Sequence, residues 1–333
     1  MHRTLLLLAL LACDDKDDTG TPGDTAETGD TSDTSAPAGA VIDPSFFADS
    51  PALISSELVE CELEDGSIAD CYALVFRANP VEGGPYCPET VEDVGGLGVY
   101  DGPTNPGLRV LDAALWADMA ADGYDVVDAD GNVTISSPPA GGGPPPTPAA
   151  EGPEPSCLQV TPDDSLTLRF LLPAEPTLLD SPSTIGEVDL IGVSLEGAPI
   201  NGEPPSVVEH NGAIPAIDPC GGHVDPAGYY HWHLAAASAD SMLAREGIDA
   251  VRCTQIEQDD AALVGFARDG FPMYGSADAD GSAPTDLDAC GGHTGPTGDF
   301  PDGVYHYHAS STEALNLPGC VVGKAALDQF GVE

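Results

Sequence analysis

Six of the eight histidines stand in two copies of one arrangement, Cys-Gly-Gly-His followed by His-x-His. The first copy, "CGGHVDPAGYYHWH", holds His223, His231 and His233; the second, "CGGHTGPTGDFPDGVYHYH", holds His293, His306 and His308. Residues two apart in a strand point the same way, so each H-x-H pair lays two imidazoles side by side. Such a pair suits Zn²⁺, Cu²⁺ or Fe²⁺, and the histidine after Gly-Gly offers a third nitrogen. The glycines permit a positive φ or a close backbone approach that turns this histidine back onto the strand. Asp218 and Asp288, two residues before each cysteine, are candidates to orient an imidazole or to ligate directly. Tyr230, Trp232, Tyr305 and Tyr307 alternate with the histidines and belong on the opposite, core-facing side. Without a metal, the same residues read as a buried hydrogen-bond network or a sugar-binding cleft. His210, in "EHNG", has no counterpart in the second copy and reads as a loop residue.

A weaker oxygen-rich pattern lies beside the second copy. "DADGS" at 278–282, with Asp286 following, places Asp278, Asp280 and Asp286 as the start of a calcium loop. Its glycine falls too early for the helix-loop-helix calcium motif, and ordinary Asp-Gly turns explain it better.

The histidine motifs sit in a longer repeat. "LIGVSLEGAPING" at 190–202 matches "LVGFARDGFPMYG" at 263–275, with Gly at positions three, eight and thirteen and Pro at ten of each. Each string leads to Asp-x-Cys-Gly-Gly-His, then to the H-x-H pair, and closes on a lone cysteine, Cys253 or Cys320. Offsets of 73, 70, 75 and 67 residues keep the order while the loops vary. Two units result, about 188–253 and 261–320, inside a duplicated region spanning 176–325. Their shared order suggests shared bridges, Cys220 with Cys253 and Cys290 with Cys320, which removes these sulfurs as metal ligands. Cys61 and Cys71 flank the turn "EDGS" and are plausible partners, as are Cys87 and Cys157. The full connectivity of eight cysteines stays open on sequence alone.

The elements that position these motifs are mostly short strands. Residues 53–77 show two apolar runs broken by "EDGS", as in a hairpin, and "SLTLRFLLP" at 165–173 alternates like a strand with one buried face. Leu108, Leu111, Leu115 and Met119 are at helical spacing, with Gly123 as a stop, which predicts a helix near 108–121. Residues 138–155 are rich in Pro and Gly and read as a long surface loop. The expected fold is mainly β, sandwich or barrel-like, with one or two short helices and an internal duplication; residues 46–175 form its N-terminal β-rich segment.

The beginning of the chain reads as a targeting segment. His2 and Arg3 precede the apolar run Leu5–Leu11, and "LLAC" followed by two aspartates resembles a bacterial lipobox. On that reading residues 1–12 are a lipoprotein signal peptide, Cys13 carries the lipid, and 13–45 form an acidic tether too polar to fold. An even set of eight further cysteines fits disulfides in an exported protein, anchored to a bacterial membrane on its extracytoplasmic side. With 9 Lys and Arg against 56 Asp and Glu, the formal charge is −47. That excludes ordinary nucleic-acid binding and docking on anionic lipid through a basic patch.

"LVGFARDGFPMYG" with "DACGGH" and "GVYHYH" resembles the YHYH domain, a family of exported, mainly bacterial proteins named after that tetrapeptide. The resemblance spans roughly residues 160–320, with Trp232 where the signature has tyrosine. It implies an exported setting and no particular reaction.

The sequence thus predicts a lipid-anchored envelope protein that binds copper or zinc through His223, His231 and His233 and through His293, His306 and His308. No catalytic residue is assigned. The competing reading is a non-enzymatic envelope module that binds a carbohydrate, another protein or a small molecule, with its aromatic rings exposed and its loops braced by calcium.

Overall fold

The computed structural model describes residues 42–138, 140 and 155–333. The signal segment, Cys13, the tether up to residue 41 and most of the Pro/Gly stretch lie outside these residues.

The apolar runs flanking "EDGS" form an antiparallel hairpin, Leu53–Glu62 with Ile68–Arg77, fastened near its turn by the Cys61–Cys71 disulfide. Thr167–Pro173 pairs with the second of these strands and Phe330–Val332 pairs with Thr167–Pro173, completing a four-stranded antiparallel sheet. Period-two alternation puts Leu74, Phe76, Leu168, Phe170 and Leu172 on its buried face.

The second sheet has eight strands: β1 (Leu190–Ser194), β2 (Pro199–Asn201), β3 (Gly222–Val224), β4 (Tyr230–Trp232), β5 (Leu263–Ala267), β6 (Pro272–Tyr274), β7 (Gly292–Gly295) and β8 (Val304–His308). Their spatial order is β3-β4-β2-β1-β5-β6-β8-β7. Each half has an antiparallel hairpin (β1–β2 or β5–β6), a parallel step to β4 or β8, and an antiparallel return to β3 or β7. The halves join through antiparallel β1 and β5, where Val193 faces Phe266. Those two residues occupy the same place in their respective strings, so the register sets up a local twofold relation about this pair. Close approach here demands the glycines at position three. A Cβ on Gly192 would lie 2.2 Å from the Phe266 carbonyl oxygen, and one on Gly265 2.1 Å from that of Val193.

Phe266 ties the two sheets together. Its ring lies 5.6 Å from that of Phe47, which lies 5.7 Å from Phe76 in the four-stranded sheet, and all three are fully buried. Two sheets sharing an aromatic core give the sandwich-like side of the expectation; among the described residues no sheet closes into a barrel. The α-helices among the described residues are α1 (Ala113–Ala121) and α2 (Ala239–Arg245). The predicted helix near 108–121 begins later than its apolar spacing indicates. Asp112 caps it by accepting the amides of Ala114 and Leu115, while Leu108 is buried in a separate strand, Gly107–Val110. Leu108 and Leu111 needed burial, and a strand followed by a cap supplies it as well as a helical turn does.

Disulfides also join Cys87 to Cys157 across the Pro/Gly stretch, and Cys220 to Cys253 and Cys290 to Cys320 as the repeat suggests, so the described cysteines are all paired. Four bridges mark a chain that folds in an oxidising compartment, outside the cytosol. Among the described residues no helix is long and apolar enough to cross a membrane.

Because Phe266 is shared by both sheets, truncating it removes core from each. Phe266→Ala is expected to lower stability by about 3–5 kcal/mol in denaturant unfolding of the oxidised protein; a loss under about 1 kcal/mol would show that the sheets do not depend on a common core.

Candidate metal centres

Each histidine group is assembled by a carboxylate that the sequence reading assigned another task. Asp218 Oδ1 accepts the amides of Cys220 (2.9 Å) and Gly222 (3.1 Å), and its Oδ2 accepts the Tyr230 hydroxyl at 2.8 Å and the Gly84 amide at 3.2 Å. Asp288 does the same with Cys290 (2.8 Å), Gly292 (3.2 Å) and the Tyr305 hydroxyl (2.9 Å). Neither aspartate is hydrogen-bonded to an imidazole; each ties the Cys-Gly-Gly turn to the first tyrosine of the H-x-H strand. This is a correction with a clear cause. An aspartate before a tight turn is within reach of that turn's own amides, which outcompete a ring farther along. Burial pushes the Asp218 carboxyl upward, while the hydrogen bonds from Tyr230, Gly222, Gly84 and Cys220 hold it down.

The glycine pairs follow from the same construction. Gly221 and Gly291 have φ of +89° and +76°, which turns the chain back. A Cβ on Gly222 or Gly292 would lie 2.1 Å from the tyrosine hydroxyl that reaches the aspartate. The turn sets His223 opposite His231 across β3–β4, and His293 opposite His306 across β7–β8.

The histidine Nε2 atoms converge. His233 Nε2 is 2.9 Å from that of His231 and 3.2 Å from that of His223; His293 Nε2 is 3.0 Å from that of His306 and 3.2 Å from that of His308. The opposite ring nitrogens set the tautomers. Nδ1 of His223, His306 and His308 lies 3.2, 3.0 and 2.9 Å from the carbonyls of Ala216, Val304 and Gly275, and Nδ1 of His233 meets that of Gly202. A carbonyl can only accept, so these Nδ1 atoms carry the hydrogen and the neutral rings present bare Nε2 lone pairs. His293 Nδ1 is 2.7 Å from Asp286 Oδ1, while His231 Nδ1 has no partner among the described residues. The last histidine of each group is thus oriented by the final glycine of its string, Gly202 or Gly275, which accounts for a repeated glycine whose role the sequence left open.

His231, His233, His306 and His308 are buried, and His223 and His293 are half-buried. The pairs are therefore interior and do not form the exposed strand face that alternation alone suggests. Burial depresses their basicity: His223 falls to about 4, His233 to about 3 and His306 to about 4, and His231 and His308 are lowered too, with neighbouring imidazoles adding to the effect in all but His223. Tyr230, Trp232 and Tyr307 are also buried, and Tyr305 is half-buried, so the rings offer no stacking platform to a sugar.

Asp278 belongs to the second group. Its Oδ1 is 3.4 Å from Nε2 of both His293 and His308. Asp286 supports His293, and Asp280 accepts its own turn's Ser282 amide at 2.9 Å and hydroxyl at 2.6 Å. The three carboxylates expected to begin a calcium loop do not converge on one point; among the described residues the ligand-like groups are His223-His231-His233 and Asp278-His293-His306-His308. Four strands separate β4 from β8. At about 4.8 Å per strand the groups are roughly 24 Å apart, too far to share one ion.

Residues 169–285 match the model of a family described as YHYH protein. This stretch is a YHYH domain. The match takes in the first histidine group and Asp278 and stops before His293, so it is narrower than the span of resemblance read from the motifs. Comparison with curated proteins and with solved structures finds no match.

Two measurements test the assembly of these histidine groups. Asp218→Ala strands three buried donors and a half-buried one and is expected to cost at least about 3 kcal/mol in denaturant unfolding, against about 1 kcal/mol for Tyr230→Phe; equal, small losses would remove the carboxylate from its assembling role. In metal-stripped protein, ¹⁵N spectra should show His223, His233 and His306 as neutral Nδ1–H tautomers at pH 6, and a midpoint near 6.5 would contradict their burial. The sign of the linkage is set by these lowered values. Between the unfolded value near 6.5 and about 4, unfolding takes up protons, so these rings contribute a loss of stability as pH falls through that window.

Proposed function

We propose that this YHYH-domain protein binds a transition metal ion, copper or zinc, at each of its two histidine groups. The observation that carries the reading is the convergence of Nε2 atoms within 3.0–3.2 Å in the second group while every Nδ1 there faces an oxygen acceptor. Neutral rings held this way aim lone pairs at one another with no hydrogen between them, an arrangement that a shared cation relieves. Around a tetrahedral ion with metal–nitrogen bonds of about 2.0–2.1 Å, the nitrogens stand about 3.3 Å apart, close to the spacing found. Lowered basicity keeps the rings in the ligating form, and imidazole suits zinc and copper alike. The carbonyl partners on Nδ1 are what a metal-bound histidine ordinarily has behind it. A formal charge of −47 adds a field that gathers cations.

The rest of the reading concerns where this happens. Export agrees with the four disulfides, and the lipobox-like "LLAC" supports attachment through Cys13, with the following acidic segment as a tether.

Metal analysis decides the matter. Protein purified without a histidine tag, stripped with chelator, reloaded with Zn²⁺ or Cu²⁺ and dialysed should retain two ions per chain, one for each group. His231→Ala with His233→Ala, or His306→Ala with His308→Ala, should each leave one ion, and all four together none. Retention of under about half an ion by the unmutated protein after dialysis defeats the reading.

A further inference from the structure

The two histidine groups are alike in their rings and differ in what closes them. Counting from the shared glycine of each string, Gly202 or Gly275, the residue three places on is Pro205 in the first half and Asp278 in the second. The residue just before the glycine is Asn201 in the first half and Tyr274 in the second. In the second group the Asp278 carboxylate stands 3.4 Å from two Nε2 atoms. The Tyr274 ring packs edge-on against His306 at 5.3 Å, its hydroxyl held by Thr297 at 2.7 Å and Asp299 at 2.9 Å. In the first group Asn201 and Pro205 instead line a pocket of about 360 Å³, and His223 and His231 form part of its wall.

We propose that the first centre holds its metal with an open coordination position that faces this pocket and takes a neutral, largely apolar small molecule as a fourth ligand, whereas Asp278 closes the second centre. The inference rests on metal binding by the histidine groups and assigns them different tasks. Three protein ligands with an exchangeable fourth are the mark of a reactive metal site, and four protein ligands that of a structural one. The volume lies in the range of small-molecule sites. Leu158, Val160, Pro215, Pro226 and Tyr229 make the walls apolar.

Charge selects the ligand class. Three neutral imidazoles leave the ion's full positive charge in place, which opposes a cationic ligand. Asp225 also lines the pocket, and among the described residues neither Lys nor Arg does, so an anionic body would find no side-chain partner there. His210, the histidine without a counterpart, forms part of the same wall; its Nδ1 is 2.9 Å from the Ser206 carbonyl, leaving Nε2 as an acceptor for a ligand N–H or O–H.

Cobalt reports the outcome directly, because its visible absorption changes with coordination. The variant with His306→Ala and His308→Ala keeps the first centre, and the variant with His231→Ala and His233→Ala keeps the second. Each is loaded with Co²⁺ and titrated with imidazole and with phenylimidazole. The first centre should respond to both, binding phenylimidazole about tenfold more tightly because its ring enters the apolar pocket. The second centre should not respond. Pro205→Asp, made in the otherwise unmodified chain, should preserve Co²⁺ uptake and abolish the phenylimidazole response. If a histidine variant fails to fold, the unmodified chain and Pro205→Asp still give the answer, through a response from one of two bound ions that the substitution removes. Equal responses from both centres, no preference for phenylimidazole, or a response that survives Pro205→Asp overturns this proposal alone. Failure of the unmodified chain to take up Co²⁺ overturns it together with the metal-binding reading.

Discussion

A carboxylate accepting the amides of a tight turn and the hydroxyl of a tyrosine from the neighbouring strand holds each histidine group together. Asp218 and Asp288 are those carboxylates, and what surrounds them follows from their reach. The two amides fix the Cys-Gly-Gly turn, and the hydroxyl fixes the register of the strand that brings two more imidazoles. The disulfides from Cys220 and Cys290 then tie the same turns to distant chain. With turn and strand fixed, backbone carbonyls orient four of the six rings and the Asp286 carboxylate orients a fifth, His293, so that three imidazoles meet in each group.

The motifs were legible in sequence because they depend on local geometry. H-x-H on a strand, glycine at a reversed turn and an aspartate two residues before a cysteine follow from period-two alternation and short-range hydrogen bonding. Each of the two strings forms an antiparallel hairpin, and the two hairpins lie side by side in the eight-stranded sheet. What stayed hidden depends on distance in the chain. Nothing near Asp278 shows that its carboxylate turns toward His293 and His308, fifteen and thirty residues on, and so its "DADG" string read as an ordinary Asp-Gly turn or, more weakly, as the start of a calcium loop. The depth of the imidazoles was hidden too, since alternation says which side a residue faces and not what covers it. Here both sides are covered, by the tyrosines and Trp232 on one and by loops carrying Gly202 and Gly275 on the other. The helix boundary failed for a related reason. Leu108 and Leu111 keep helical spacing with Leu115 and Met119, but a capping aspartate at 112 divides them.

The difference between the two histidine groups is carried by few residues. Asn201 against Tyr274 and Pro205 against Asp278 leave the three-ring frame unchanged and alter only the space before it. A scaffold that orients its rings mainly through backbone carbonyls and turn amides tolerates this, because Asn201, Tyr274, Pro205 and Asp278 are not among the hydrogen-bond partners that fix the turns and strands.

The strand order places β3 and β7 at the two ends of the eight-stranded sheet, each three or four residues long and bent away by a glycine at positive φ. An open sheet ordinarily offers its end strands as templates to any passing chain, and shortness and bending are the usual defences. In this molecule the strands that end the sheet are also those that carry His223 and His293 inward to their partners. The feature that gathers the imidazoles therefore also blunts both edges, and a change that loosened either turn would free a strand edge for aggregation as well as disperse the rings.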